Sequence, residues 1–228
     1  MATDLSVDVI IPAAGTGKRM GSAIPKQYLE ICGRTVLERT VSVFLSYPRI
    51  GRIIVCLRDD DDRFGHLSCA ADPRIVRVPG GQERVDSVLS GLERATAEWV
   101  MVHDAARPCL AHGDLDRLLA EGMRGCGGIL GTACRDTMKR TDSEGNILST
   151  VDRTFLFHAH TPQLFRTDQL RQAIRDALAA GVNVTDEASA MEHAGFRPKL
   201  VEGRSDNIKI TRPSDLTLAR FIIEELNQ

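Results

Sequence analysis

Lys18, Arg19 and Lys26 follow a run of small residues, Ala13-Ala14-Gly15-Thr16-Gly17, and the combination suits a phosphate ligand. Ala13, Ala14, Gly15 and Gly17 let the backbone approach closely, with N–H groups free to meet phosphate oxygens. The cations add full positive charge where a polyphosphate would lie. The named phosphate motifs do not fit. A P-loop requires G-x-x-x-x-G-K-[ST], but Arg19 follows Gly17-Lys18 and Pro12 stands where the first glycine belongs. The dinucleotide fingerprint G-x-G-x-x-G fails at Met20. The competing reading is an ordinary glycine turn with solvated cations.

Other residues could share the same chemistry. Asp104 follows the apolar run Trp99-Val100-Met101-Val102-His103, at the carboxyl end of a buried strand, where open α/β sheets bind ligands. Beside a polyphosphate, its carboxylate could hold Mg²⁺ directly, hold it through water, or orient a sugar hydroxyl. Arg107 could grip an anionic second substrate in bidentate fashion. Lys209, between Ile208 and Ile210 on what reads as a short half-buried strand, needs an anionic partner: a ligand phosphate or a salt bridge. Gly80-Gly81 opens a helix whose N-terminus could hold a base or ribose. His158 and His160 would share a strand face, but with no third ligand at a workable spacing they read as hydrogen-bonding histidines. The acidic run Asp59 to Asp62 reads as a solvated helix cap rather than a metal site.

The elements that must position these groups alternate. Val9 to Pro12, Arg52 to Leu57, Arg74 to Val78, Trp99 to His103 and Gly127 to Ala133 read as buried strands. Helical stripes lie between them: Val36 to Leu45, Val85 to Leu92, and a helix marked by Leu115, Leu118 and Leu119. The pattern predicts an α/β fold with a Rossmann-like, mostly parallel sheet flanked by helices, in a single domain spanning 1–228. From about 135 to 153 the pattern changes to polar period-two alternation around a turn at Asp142 to Asn146, which predicts a β-hairpin arm projecting from the sheet and used for dimerisation. Thr185 is expected to cap a helix that carries Asp186 and Glu187 in its first turn, and a last helix starts near Thr211.

Composition narrows the classes. A formal net charge of −2 over 228 residues argues against general nucleic-acid binding, so local basic clusters read as sites. The six cysteines include no C-x-x-C pair and several sit in apolar runs, which points to reduced thiols. Asp4 and Asp8 interrupt any signal-peptide pattern, and no apolar run approaches a membrane span. A cytoplasmic protein without nucleic-acid or membrane partners is expected.

Taken together, Pro12 to Met20, Pro25-Lys26-Gln27-Tyr28-Leu29, Gly80 to Arg84, Val102 to Pro108, Arg135 to Lys139, His160-Thr161-Pro162-Gln163, Thr185-Asp186-Glu187 and Asp206 to Lys209 resemble the 2-C-methyl-D-erythritol 4-phosphate cytidylyltransferase family. The likeness runs nearly end to end, in order and spacing. It implies transfer of a cytidylyl group from CTP to methylerythritol phosphate with release of pyrophosphate, a Mg²⁺ requirement, and a homodimer with interlocking arms. Carried over by motif, Arg19 and Lys26 would stabilise the transition state, and Arg153 and Lys209 would position the acceptor. Asp104, Arg107, Thr137 and Thr161 would line the acceptor pocket, with Asp104 also the candidate metal residue. Ala13, Ala14, Gly15, Gly17, Gly81, Gln82 and Ser87 would hold the nucleotide. Gln82 departs from the family's aspartate, and Lys18 from its arginine. Two other classes remain: a sugar-phosphate nucleotidyltransferase using UTP or GTP, and a module that binds CTP without turnover.

Overall fold

The computed structural model describes residues 6–15 and 24–226. In chain order the elements are β1 (Val7–Pro12), β2 (Glu30–Ile31), β3 (Arg34–Thr35), α1 (Val36–Leu45), β4 (Ile50–Leu57), β5 (Ile75–Pro79), α2 (Arg84–Leu92), β6 (Trp99–Val102), α3 (His112–Gly122), β7 (Gly128–Ala133), β8 (Met138–Thr141), β9 (Ile147–Val151), β10 (Phe157–Arg166), α4 (Thr167–Ala179), α5 (Glu187–His193), β11 (Lys199–Glu202) and α6 (Pro213–Leu226). The main sheet has seven strands in the order β11-β7-β10-β6-β1-β4-β5. Every neighbouring pair is parallel except the two that β10 makes with β6 and β7.

The strands are apolar because helices cover both faces. Val9 and Ile11 pack with Leu37, Val41 and Phe44 of α1 and Leu115 of α3; Ile10 points the other way, onto Val88 and Leu92 of α2 beside α4. That alternation is the period-two geometry of a strand. A Cβ on Gly91 would lie 2.6 Å from Ile10 Cγ2, so α2 needs glycine there to press against β1. A third cluster seats α6 against Ile31, Val36, Cys109 and Ile210.

The order of elements sets up the site. From β1 the chain runs outward to β4 and β5, then returns to place β6 on the other side of β1. The carboxyl ends of β1 and β6 thus flank a topological switch point, the crevice in which open α/β sheets bind ligands. The expected hairpin is present as β8 and β9, a separate two-stranded sheet with nearly every residue exposed. Three features differ from the expectations. Residues 207–210 form irregular chain, not a strand. Asp186, not Thr185, is the N-cap of α5, its carboxylate accepting from Ser189 N–H at 2.9 Å. Helix α4, which follows β10 directly, had no expectation attached to it. Among the described residues no helix is long and apolar enough to cross a membrane, and all six cysteines are free.

Candidate active site

Backbone turns come first. After β1, Ala13 N–H donates to Cys56 O at 2.8 Å, and Gln27 clamps the cradle from the far side: its Nε2 donates to Ala13 O at 2.7 Å and to Gly15 O at 3.1 Å. A buried glutamine spent on two backbone carbonyls fixes the Ala13 to Gly15 turn. The second turn, after β5, needs its glycines for space. A Cβ at Gly80 would lie 2.4 Å from Ala14 Cβ, and one at Gly81 2.1 Å from Asp86 Cβ. Gly81 N–H donates to Ser87 Oγ at 3.0 Å, and Glu83 and Asp86 form a capping box on α2. Ser87 is buried, and its hydroxyl serves this turn.

Ala13, Ala14, Gly15, Lys26, Gly81, Gln82, Ser87, Asp104 and Lys209 line one cavity of about 180 Å³. Pro12, Gln27, Glu83, Arg84, Ala105 and Ala106 complete its wall. Gly17 and Arg19 lie outside the described residues. Thr137 and Arg153 are exposed on the arm and do not line this cavity; Arg153 Nη1 donates to Cys134 O at 3.2 Å.

Asp104 is the electrostatic centre. Its Oδ1 accepts from Arg84 Nε at 3.2 Å; its Oδ2 meets Lys209 Nζ at 2.8 Å and Arg107 Nε at 3.3 Å. Burial opposes its charge, but Arg84, then Lys209 and Arg107, outweigh that and hold the carboxyl well below the usual carboxylate range. Arg84 is shared: its Nη1 and Nη2 also donate to Glu187 at 2.6 and 3.1 Å. The arrangement alternates Glu187, Arg84, Asp104 and Lys209, with Arg84 and Lys209 facing the cavity.

Two expected ligand contacts are redirected. Arg107 is buried, and its guanidinium is committed to Asp104 and, through Nη1, to Asn207 O at 2.7 Å. It braces the segment that carries Lys209 rather than reaching into the cavity. Thr161 is also buried, its hydroxyl bonded to Asp104 N–H and to the His103 ring. The Lys209 segment gains further ties from Asn207 Nδ2 to Thr161 O, Ile210 N–H to Ala106 O, and Lys26 Nζ to Ile210 O, at 2.8, 2.9 and 3.1 Å. These fixed bonds do for residues 207–210 what strand pairing would have done.

The metal reading fits poorly. Among the described residues no group of three or more His, Cys, Asp and Glu side chains is placed to hold a metal ion. Both Asp104 oxygens already face cations, which would repel a divalent ion. His158 is exposed and His160 half-buried on β10, and neither belongs to a ligand cluster. The acidic run is tied locally: Asp61 Oδ1 accepts from Phe64 N–H at 2.9 Å, its Oδ2 accepts from the Tyr28 hydroxyl at 2.6 Å, and Asp60 pairs with Arg58 at 2.7 Å. Arg84, Gln27, Glu187 and His103 were not singled out as site residues. All four lie in the motifs that carry the resemblance, but partners so far away in sequence give no local periodic signal.

A cation-lined cavity at the switch point, bordered by the Ala13–Gly15 turn and a glycine turn opening α2, fits the nucleotidyltransferase class. Residues 7–225 match the family model described as IspD, 2-C-methyl-D-erythritol 4-phosphate cytidylyltransferase, and the chain belongs to that family. It is 57% identical over 227 residues to the enzyme of that name from Aeromonas hydrophila, covering 99% of this chain and 93% of the relative. With the Escherichia coli O1:K1 enzyme it shares 52% over 225 residues, covering 97% and 95%. The crystal structure of the Thermus thermophilus enzyme superposes with a TM-score of 0.82 at 32% identity, covering 96% of this chain and 99% of that one.

Proposed function

We propose that this cavity carries out the family's reaction, with nucleotide held by the β1 loop and the α2 turn and acceptor phosphate drawn to Lys209. The chain is a cytidylyltransferase: it transfers a cytidylyl group from CTP to 2-C-methyl-D-erythritol 4-phosphate in isoprenoid precursor biosynthesis. An acceptor phosphate oxygen attacks the α-phosphorus of CTP. The bond from that phosphorus to the bridging oxygen of the β-phosphate breaks, and pyrophosphate leaves with the electron pair. A phosphomonoester is already anionic at neutral pH, so the attack needs no strong base. Asp104 fits that need, since a carboxylate held below its usual range by three cations is a poor proton acceptor. The obstacle is repulsion between two polyanions and charge on the equatorial oxygens, which fixed cations relieve through preorganised electrostatics. The observation that carries the reading is the convergence of Lys26, Arg84 and Lys209 on one cavity around Asp104.

A divalent cation such as Mg²⁺ would supply neutralisation of phosphate charge; among the described residues no group of three or more His, Cys, Asp and Glu side chains is placed to hold it, and Asp104 is the carboxylate nearest the cavity that could orient it through water. The arm supports a homodimer. Ile147 and Leu148 are 65% and 63% exposed, and Phe155 at its base 88%, so a second copy has an apolar surface to cover. Arg153 and Thr137 would then serve the partner's cavity. Free thiols at all six cysteines accord with a reducing compartment such as the cytoplasm.

Pyrophosphate release tests the chemistry, using Mg²⁺, each nucleoside triphosphate in turn, and the acceptor present or omitted. Release with CTP and acceptor together is expected; release with UTP or GTP instead would move the substrate assignment. Sedimentation equilibrium tests the dimer, and a monomer at micromolar concentration would overturn it.

A further inference from the structure

One buried group beneath the cavity has no part in the chemistry above. His103 is fully buried directly after β6, its ring 5.1 Å edge-on from Phe44. Its Nε2 lies 3.0 Å from Arg107 O, and its Nδ1 lies 3.0 Å from Thr161 Oγ1. Thr161 Oγ1 is in turn 3.0 Å from Asp104 N. A carbonyl oxygen only accepts, so Nε2 must carry the proton. Burial pushes the ring's pKa down to about 4, so at neutral pH Nδ1 is bare and accepts from the Thr161 hydroxyl. That proton direction leaves a Thr161 lone pair to accept from Asp104 N–H. One assignment satisfies every group, and each bond in the chain polarises the next.

The consequence is mechanical. Arg107 N–H donates to Asp104 O at 3.1 Å, so residues 104–107 form a tight turn. The imidazole holds the far end of that turn directly and the near end through Thr161. The same turn presents the carboxylate that meets Lys209 and the guanidinium that braces Asn207. We propose that His103 is a positioning residue for cytidylyl transfer: in its Nε2–H tautomer it clamps both ends of the Asp104–Arg107 turn and, through Thr161, fixes the carboxylate that orients Lys209. The inference rests on the transfer reaction proposed above. It also gives Thr161 a role beneath the acceptor pocket rather than in it.

The test uses full-length ¹⁵N-labelled protein and the imidazole region of a long-range ¹H–¹⁵N spectrum at pH 7.5, with the His103 signals assigned by their loss in His103→Gln. The Nε2–H pattern is expected; an Nδ1–H or doubly protonated ring overturns the proposal. Kinetics then separate positioning from bulk. Thr161→Ser keeps the hydroxyl and should stay within about threefold of wild type in kcat/KM for the acceptor. Thr161→Val should lose at least tenfold, with the KM for CTP changed less than twofold. Equal behaviour of the two variants, or a matching rise in the CTP KM, overturns it. If Thr161→Val does not fold, the spectrum and the serine variant still decide, because a serine variant impaired tenfold contradicts the relay. A wild-type protein that releases no pyrophosphate from CTP and acceptor would strike the reaction itself, whereas an active enzyme with the other tautomer would strike only this inference.

Discussion

Asp8, in β1, and Asp104, just past the adjacent strand β6, are buried carboxylates at opposite ends of the sheet, and they are satisfied in opposite ways. Asp8, opposite Val100 near the amino end of β1, accepts from the backbone N–H groups of Arg52, Thr96 and Ala97 at 2.9, 2.7 and 3.0 Å. Asp104, beyond the carboxyl end of β6, is met by three cationic side chains and, at its own N–H, by Thr161. Backbone donors cannot leave, so Asp8 pins the β4 entry and the turn before β6 into a fixed frame. Side-chain donors can exchange partners, so under the proposed reaction Lys209 would trade Asp104 for an incoming phosphate within one charge network. The same residue type is held by fixed backbone donors at one end and by exchangeable side-chain cations at the other.

Substitution at the two ends should therefore fail differently. Asp104→Asn removes the charge that gathers Arg84, Arg107 and Lys209, and turnover should fall on the order of 100-fold, the scale of losing one preorganised electrostatic contact. Stability should fall as well, because Asp104's charge favours the folded state and buried Arg107 loses its carboxylate partner. Asp8→Ala instead leaves its three backbone donors without acceptors, which should cost about 3 kcal/mol of stability. Turnover of the protein that remains folded should be unchanged. If Asp8→Ala lost turnover while keeping its stability, the separation of frame from site would be wrong.

A smaller effect is expected where the site meets the nucleotide. Gly80→Ala forces a methyl to within 2.4 Å of Ala14 Cβ, pushing the two turns apart. The KM for CTP should rise about tenfold, on the scale of ~1.4 kcal/mol, with the acceptor KM little changed. An unaltered CTP KM would remove the β1 loop and α2 turn from the nucleotide site.

How much of this the sequence discloses follows from the range of each interaction. Strand and helix periods are local, and β1, β4, β5, β6 and β7 lie where their apolar runs put them. So does the hairpin around Asp142 to Asn146, closed by Asp142 N–H donating to Asn146 O at 3.1 Å. Gly15, Gly81, Lys26 and Lys209 of the cavity are also legible, because phosphate chemistry restricts residue types, whereas Arg84 is not. What stayed hidden depends on long-range closure. Arg107 looks like a ligand arginine until Asn207, 100 residues on, presents its carbonyl. Lys209 between isoleucines reads as a strand until the Arg107, Ala106 and Lys26 contacts hold its segment irregularly.

Acid sharpens the contrast between the two ends, since only the site end carries a buried histidine against its turn. His103 is held neutral, its pKa pushed by burial from the ordinary 6.5 to about 4, so the unfolded chain takes up a proton that the folded chain refuses. Between those values the unfolded state binds more protons, and stability must rise with pH; it is fully present above about 6.5 and is lost as pH falls toward 4. From pH 7.5 to 5.5 the loss from this residue should be about 1 kcal/mol. His160, also lowered by burial but half exposed, adds to the slope in the same direction, with solvent screening its share. Asp104 contributes nothing in this window: its pKa is depressed, so its stabilisation is present above the ordinary carboxylate range and is lost only in stronger acid. Unfolding free energies at fixed pH, compared between wild type and His103→Gln, isolate the effect. The variant should be less stable at pH 7.5 and should lose less of its stability on going to pH 5.5. Asp8→Ala should keep the wild-type slope, so a slope flattened by Asp8→Ala but not by His103→Gln would assign the acid response to the wrong end of the sheet.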